Sequence, residues 1–265
     1  MAPIKPVAAG EITEPEFNDL LSHYPSLIKL IDSSKPAKPG QKPLTELDEY
    51  RYVEAVEKFG GQGLKSPMGI DDIKALVEWK LRHGKFRPTL MSLVASNDPK
   101  TAKDTVNQAM AVYQDTADVS KALDVLTKLR GIGPATASLL LSVHDPEQAL
   151  FFSDEAFYWL CSGGKKAPIK YNAKEYTALR AEAQSLIKRL GVSATDVEKV
   201  AYVVMKREGE AAQPTESAEK KVPIAAAKAA KRDIAPKPDT KRKVAPRTPV
   251  EAEGTTLRRS KRTKA

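Results

Sequence analysis

The run KALDVLTKLRGIGPATASLLLSV, Lys121 to Val143, constrains this chain more than any other stretch. It reads as a first helix with Ser120 as its cap, a tight turn over Leu129 to Gly133, and a second helix opening at Pro134. Proline suits that first helical position because an N–H there has no partner to lose. Ala135, Thr136, Ala137 and Ser138 are small, so the second helix can approach the first closely. Leu129 and Ile132 are expected to plug the turn into a core. The two glycines admit backbone angles closed to other residues and leave N–H groups uncovered. Together with a helix N-terminus such N–H groups make an anion site. The pattern is that of a helix-hairpin-helix element, which holds one DNA backbone phosphate without reading sequence. Gly131, Ile132, Gly133, Ala135 and Thr136 are its expected phosphate-binding set. Two helices joined by a glycine-rich turn, with no ligand, is the competing reading.

Helical periodicity dominates the rest of the middle of the chain. Helical pieces are expected within 14–33, interrupted by Pro25, and over 45–59 with Thr45 as cap and Leu47, Tyr50, Val53 or Ala55, Val56 and Phe59 as its apolar stripe. A helix capped by Asp71 or Asp72 should run to Gly84. Further helices are expected at 99–114, 120–130, 134–143, 154–162, 173–190 and 193–207, with no convincing strand. The fold class is therefore all-α, with eight or more helices.

Charge and proline set the expected boundaries. Of 43 basic and 34 acidic residues, 15 and 7 lie in the last 57 positions, so nearly all of the net +9 belongs there. That segment, 209–265, has six prolines and no aromatic residue, and is expected to be a disordered basic tail. Residues 1–43 hold seven prolines and are expected to form an arm with short helical pieces and a Pro-rich linker. The folded domain is then 44–208. In the tail, KRKVAPR (Lys241, Arg242, Lys243) and LRRSKRTK (Arg258, Arg259, Lys261, Arg262) suit a nuclear import receptor or phosphate contacts. A solvated linker is the plainer alternative.

No apolar run reaches the roughly 20 residues that span a bilayer, and the start of the sequence has no long apolar h-region. One cysteine, Cys161, and three scattered histidines argue against a disulfide, a zinc site or an iron–sulfur cluster. A monomeric, intracellular protein without metal or cofactor is expected, with DNA as its main partner and the nucleus as its location.

A second basic stretch, EWKLRHGKFRPTL, interleaves cations with aromatic rings around Gly84. Arg82, Lys85 and Arg87 are expected phosphate contacts, and Trp79 could line a base pocket. The alternative is an ordinary helix C-terminus with Trp79 and Phe86 in the core. Tyr158 shares a helix face with Asp154 in FFSDEAFYWL and is a second candidate for a base pocket, or simply core.

The hairpin, followed 21 residues after Gly133 by Asp154, resembles the helix-hairpin-helix DNA glycosylase superfamily over Lys121 to Leu160. It is also similar to a glycosylase-like group of eukaryotic proteins. Members carry an L-P-G-V-G-like hairpin and, downstream, an essential aspartate at the start of the next helix. The resemblance implies a multi-helix DNA-glycosylase-like domain flanked by disordered termini, with Asp154 as the catalytic carboxylate. Breaking a base–sugar bond builds positive charge on the sugar, which a nearby carboxylate stabilises while it orients or deprotonates water. This chain departs from the family pattern in three places. Ala135 stands where bifunctional members carry a lysine nucleophile, which excludes a Schiff-base mechanism at that position. The cluster-binding cysteines are missing, and Arg130 replaces the hairpin proline, where it can add a phosphate contact. The reading that follows is a nuclear DNA-binding or repair-associated scaffold on this fold. Its alternatives are a monofunctional DNA glycosylase using Asp154 in base excision repair, and a nuclear protein-interaction domain with no direct DNA role.

Overall fold

The computed structural model describes residues 7–61 and 67–211, and the side chains up to Arg207. The basic clusters of the tail, Lys241 to Lys243 and Arg258 to Arg262, lie outside the described residues, as does nearly all of the segment expected to be disordered. Twelve α-helices and no strand are found among the described residues. They are α1 (Glu14–Ser22), α2 (Tyr24–Ser34), α3 (Leu44–Glu49), α4 (Ala55–Phe59), α5 (Ile70–His83), α6 (Leu90–Ala95), α7 (Pro99–Thr116), α8 (Val119–Leu126), α9 (Pro134–His144), α10 (Asp154–Cys161), α11 (Ala173–Leu190) and α12 (Ala194–Ala211).

Caps explain most of the boundaries. Thr13 and Glu16 bond reciprocally at the start of α1, the Glu16 carboxylate accepting from the Thr13 N–H at 2.9 Å. Pro25 opens α2 in its first turn instead of interrupting a helix. Asp98, Ser153 and Asn172 cap α7, α10 and α11 through their side-chain oxygens. Three expected caps are corrected. Asp118 and not Ser120 caps α8, accepting from the Ser120 and Lys121 amides. Asp72 acts from inside α5, accepting from the Gly69 N–H at 2.9 Å. Thr45 does not cap its helix. Asp32, at the end of α2, reaches across to accept from the Leu44 N–H at 2.8 Å and from Thr45.

α3 and α4 are joined by a π-turn over Tyr50–Glu54. The wider turn rotates the helix, so the buried stripe is Leu44, Leu47, Arg51, Ala55 and Phe59, while Val53 faces solvent at 40% exposure. Arg51 is fully buried there. Its Nη2 donates to Ser142 Oγ at 2.7 Å and lies 3.5 Å from the Glu198 carboxylate, which also accepts from Tyr52 at 2.7 Å.

The core runs along α9, whose residues Ala135 to Val143 are all buried. α4, α5 and α8 all pack against it. The upstream helices belong to the same core. Ile12, Phe17, Tyr24 and Ile28 are buried in it, and Arg189 on α11 donates to the Ile12 and Ala9 carbonyls. The packed unit therefore begins well before Leu44, upstream of the expected boundary.

Candidate nucleic-acid interface

The hairpin between α8 and α9 is built on one positive backbone angle. Gly131 has φ +78°, and a Cβ there would meet Leu93 and Val94 of α6 at 3.0 Å. Gly133 has an ordinary extended φ of −91° and open space around it, so only Gly131 needs to be glycine for its backbone. Asn97 clamps the turn from behind, accepting from the Arg130 N–H at 2.8 Å and donating to the Arg130 carbonyl at 2.9 Å. Leu129 and Ile132 are buried as the expected plug.

Fewer of the amides expected to meet a phosphate are free than the turn suggests. The Ile132 N–H already donates to Leu129 O, and the Thr136 N–H to Gly133 O. The amides of Gly131, Gly133 and Ala135 have no acceptor among the described residues. These three residues line a pocket of about 310 Å³ between the hairpin, the turn after α5 and the start of α10.

Lys85 and Arg87 reach the same pocket, so the structure brings two of the three expected cations beside the hairpin. The third is corrected. Arg82 is drawn away from the pocket by Asp32, at 3.3 Å, and by the Lys42 and Lys35 carbonyls. A guanidinium suits that role because its fan of donors satisfies several acceptors at once. Arg130 is exposed and lies outside the pocket lining.

Neither expected base-pocket ring is in the pocket. Trp79 is fully buried, donates to Asp48 at 2.9 Å and stacks on His83 at 4.4 Å. Its position on α5 faces the core, and the indole N–H finds a half-buried carboxylate. Tyr158 is half-buried and does not line the pocket. The phenyl and phenol rings that line the pocket are those of Phe151, Phe152 and Tyr171, and one further ring, next in sequence to lining residues, stands exposed. Phe86, between Lys85 and Arg87, is 69% exposed. Tyr171 lines the pocket and donates from its hydroxyl to Asp154 Oδ1. It has φ +54°, a strained angle for a tyrosine, and Arg87 lies 5.5 Å over its ring. Burial and the Asp154 carboxylate push the Tyr171 hydroxyl well above its usual range.

Asp154 is the first residue of α10, one after the Ser153 cap, and opens into the pocket. Lys80, a cation of the same basic stretch to which no role was assigned, also lines the pocket. Its Nζ donates to Thr136 Oγ1 at 2.8 Å. Burial, with help from the nearby Arg87 charge and against the pull of Asp154, pushes the amine down to about 8. The only signal in the sequence is its place one turn before Gly84, which does not by itself aim it inward.

Cys161 is half-buried, and burial pushes its thiol up to about 11. Among the described residues no group of three or more acidic, histidine or cysteine side chains could hold a metal, and no helix is long and apolar enough to cross a membrane. No family model, curated protein or solved structure matches the chain.

Proposed function

We propose that this chain is a DNA-binding protein that holds a backbone phosphate on the α8–α9 hairpin and receives an extruded nucleotide in the pocket beside it. The observation that carries this reading is the convergence of three unpartnered amides with Lys85 and Arg87 on a single concave site. Amides at a helix N-terminus favour an anion, and the two cations extend the same field. None of these groups reads a base edge, so binding should depend on backbone and shape rather than on sequence. Phe86 stands exposed between the cations, as a ring that enters a base stack must. The nuclear location and an import receptor as partner rest on the basic clusters of the tail.

The test is binding of the full chain to an intact duplex and to one carrying a stable abasic-site mimic, over a range of salt. Preference for the mimic is expected, because a nucleotide without its base costs less to extrude. Deleting residues 209–265 should flatten the dependence on salt, since that segment carries 15 cations. Failure of the folded full chain to bind either duplex would remove the reading.

A second reading, hydrolysis of a base–sugar bond, is favoured by the placement of Asp154 in the pocket with Tyr171 orienting it. Asp154→Asn should then abolish base release while leaving DNA binding intact. Release that survives this change removes Asp154 from the chemistry.

A further inference from the structure

His83 also lines the pocket, and holding a phosphate gives it no part. It is the last residue of α5 and is only 5% exposed. Its ring is stacked on Trp79 at 4.4 Å and on Tyr202 at 3.8 Å, so these two rings cover its faces. Its Nε2 lies 3.1 Å from the Tyr24 hydroxyl oxygen on α2. Its Nδ1 has no hydrogen-bond partner among the described residues and is not sealed from solvent. With the faces and Nε2 taken, the Nδ1 edge is what the ring has left to show the pocket.

The neighbouring donors fix which nitrogen carries the proton. Asp48 Oδ1 accepts from the Trp79 indole N–H at 2.9 Å and from the Tyr24 hydroxyl at 2.8 Å. Tyr24 has only that one hydroxyl proton, so toward His83 it can only accept, and Nε2 must donate. An imidazole protonated on Nε2 alone keeps a bare lone pair on Nδ1. Burial, with the Lys206 and Arg51 charges, holds it neutral. The carboxylates and hydroxyls around the pocket already accept elsewhere, Thr136 from Lys80, Ser153 from the Ala156 amide, Asp154 from Tyr171 and Glu155 from Lys206.

We infer that His83 is a specificity-determining residue of the pocket, whose Nδ1 is a fixed, uncharged acceptor for an N–H on the base of the nucleotide seated there. This rests on the DNA-binding reading, which supplies that nucleotide. The hairpin amides, Lys85 and Arg87 are all donors, and they suit phosphate oxygens. The base would lie against the rings of Phe151, Phe152 and Tyr171. A base turned with a carbonyl oxygen toward Nδ1 would set lone pair against lone pair, so the edge that enters must bring an amino or ring N–H. Tyr24 and Asp48 act through His83 as positioning residues, because they keep its proton on Nε2.

The test is nitrogen NMR of the full chain with isotope-labelled histidine, whose three imidazoles are His23, His83 and His144. In the free chain His83 should show a protonated Nε2 and an unprotonated Nδ1. Duplexes with one unpaired adenine, cytosine, guanine or thymine nucleotide are then compared with a duplex carrying an abasic-site mimic. At least one unpaired base should move the Nδ1 resonance upfield, as for a nitrogen that accepts a hydrogen bond, and the mimic should leave it in place. His83→Phe keeps a ring in the stack without the acceptor. It should weaken binding of that duplex by about 10- to 100-fold, the worth of one buried hydrogen bond, and leave binding of the mimic unchanged. Tyr24→Phe should let the proton exchange between the two nitrogens and average their resonances. A proton on Nδ1 in the free chain would overturn the assignment. So would an Nδ1 resonance that no unpaired base moves although the duplexes bind, which leaves the DNA-binding reading standing. A chain that binds none of the duplexes overturns both. The spectra of the parent chain need no variant to fold.

Discussion

Replacing Glu198 with alanine should destabilise the protein by about 3–5 kcal/mol, a large part of the 5–15 kcal/mol that holds a typical domain together. Arg51 is the reason. Its guanidinium is fully buried, and its Nε and Nη1 have no hydrogen-bond partner. Glu198, at 3.5 Å, is the carboxylate that offsets its charge, with Ser142 and the faces of Tyr52 and Trp79 as lesser company. Removing Glu198 leaves a cation deep in the core. Burial already pushes the Glu198 carboxyl above its usual range, against the pull of Arg51 and Tyr52. The ionised pair is thus costly to bury and costlier to break. The double change Arg51→Met with Glu198→Leu should therefore recover most of what Glu198→Ala loses. Denaturant titration of the three proteins measures both effects. A loss below about 1 kcal/mol in Glu198→Ala, within the range of exposed pairs, would show that the pair does not hold the π-turn against α12.

The same π-turn marks where sequence reading ended. Amphipathic spacing was enough to expect α7, α10, α11 and α12 within a few residues of their ends, because their apolar residues recur at the helical period; α8 stops at Leu126, before the expected 130, and α9 is buried on every side. Over 45–59 the period is broken by one inserted residue. Arg51 turns inward and Val53 outward, and no composition rule puts an arginine in a core. The N-terminal helices were legible as helices, but prolines suggested a loose arm where Phe17, Tyr24 and Ile28 pack into the main core. At the site, the hairpin and Asp154 were legible because turn, plug and cap are local chemistry. Lys80, Asn97 and Tyr171 were not. Each reaches the site from a distant element, Lys80 from α5, Asn97 from the turn after α6 and Tyr171 from the loop before α11. Trp79 and Arg82 failed for the converse reason, since tertiary partners, Asp48 and Asp32, turned them away from the pocket.

Gly133→Asp should weaken DNA binding by about 10- to 100-fold, the worth of one or two hydrogen bonds to a charged group, without weakening the fold. Gly133 is the N-cap of α9, with an extended backbone and nothing within 4 Å of where a Cβ would stand. Aspartate is among the best residues at such a position, because its carboxylate accepts from the amides of the first turn. Those include the Ala135 amide proposed to meet the phosphate. The variant would therefore carry its own anion in the phosphate's place, and would add like-charge repulsion to the lost bonds. Its melting temperature should be unchanged or higher. Gly131→Ala gives the opposite pattern. There the positive φ and the 3.0 Å approach to Leu93 and Val94 should cost about 2–4 kcal/mol of stability. Two glycines two positions apart would then separate into one that the fold requires and one that the ligand requires. A Gly133→Asp protein that is folded and binds duplex as tightly as the parent would show that no phosphate sits on this hairpin.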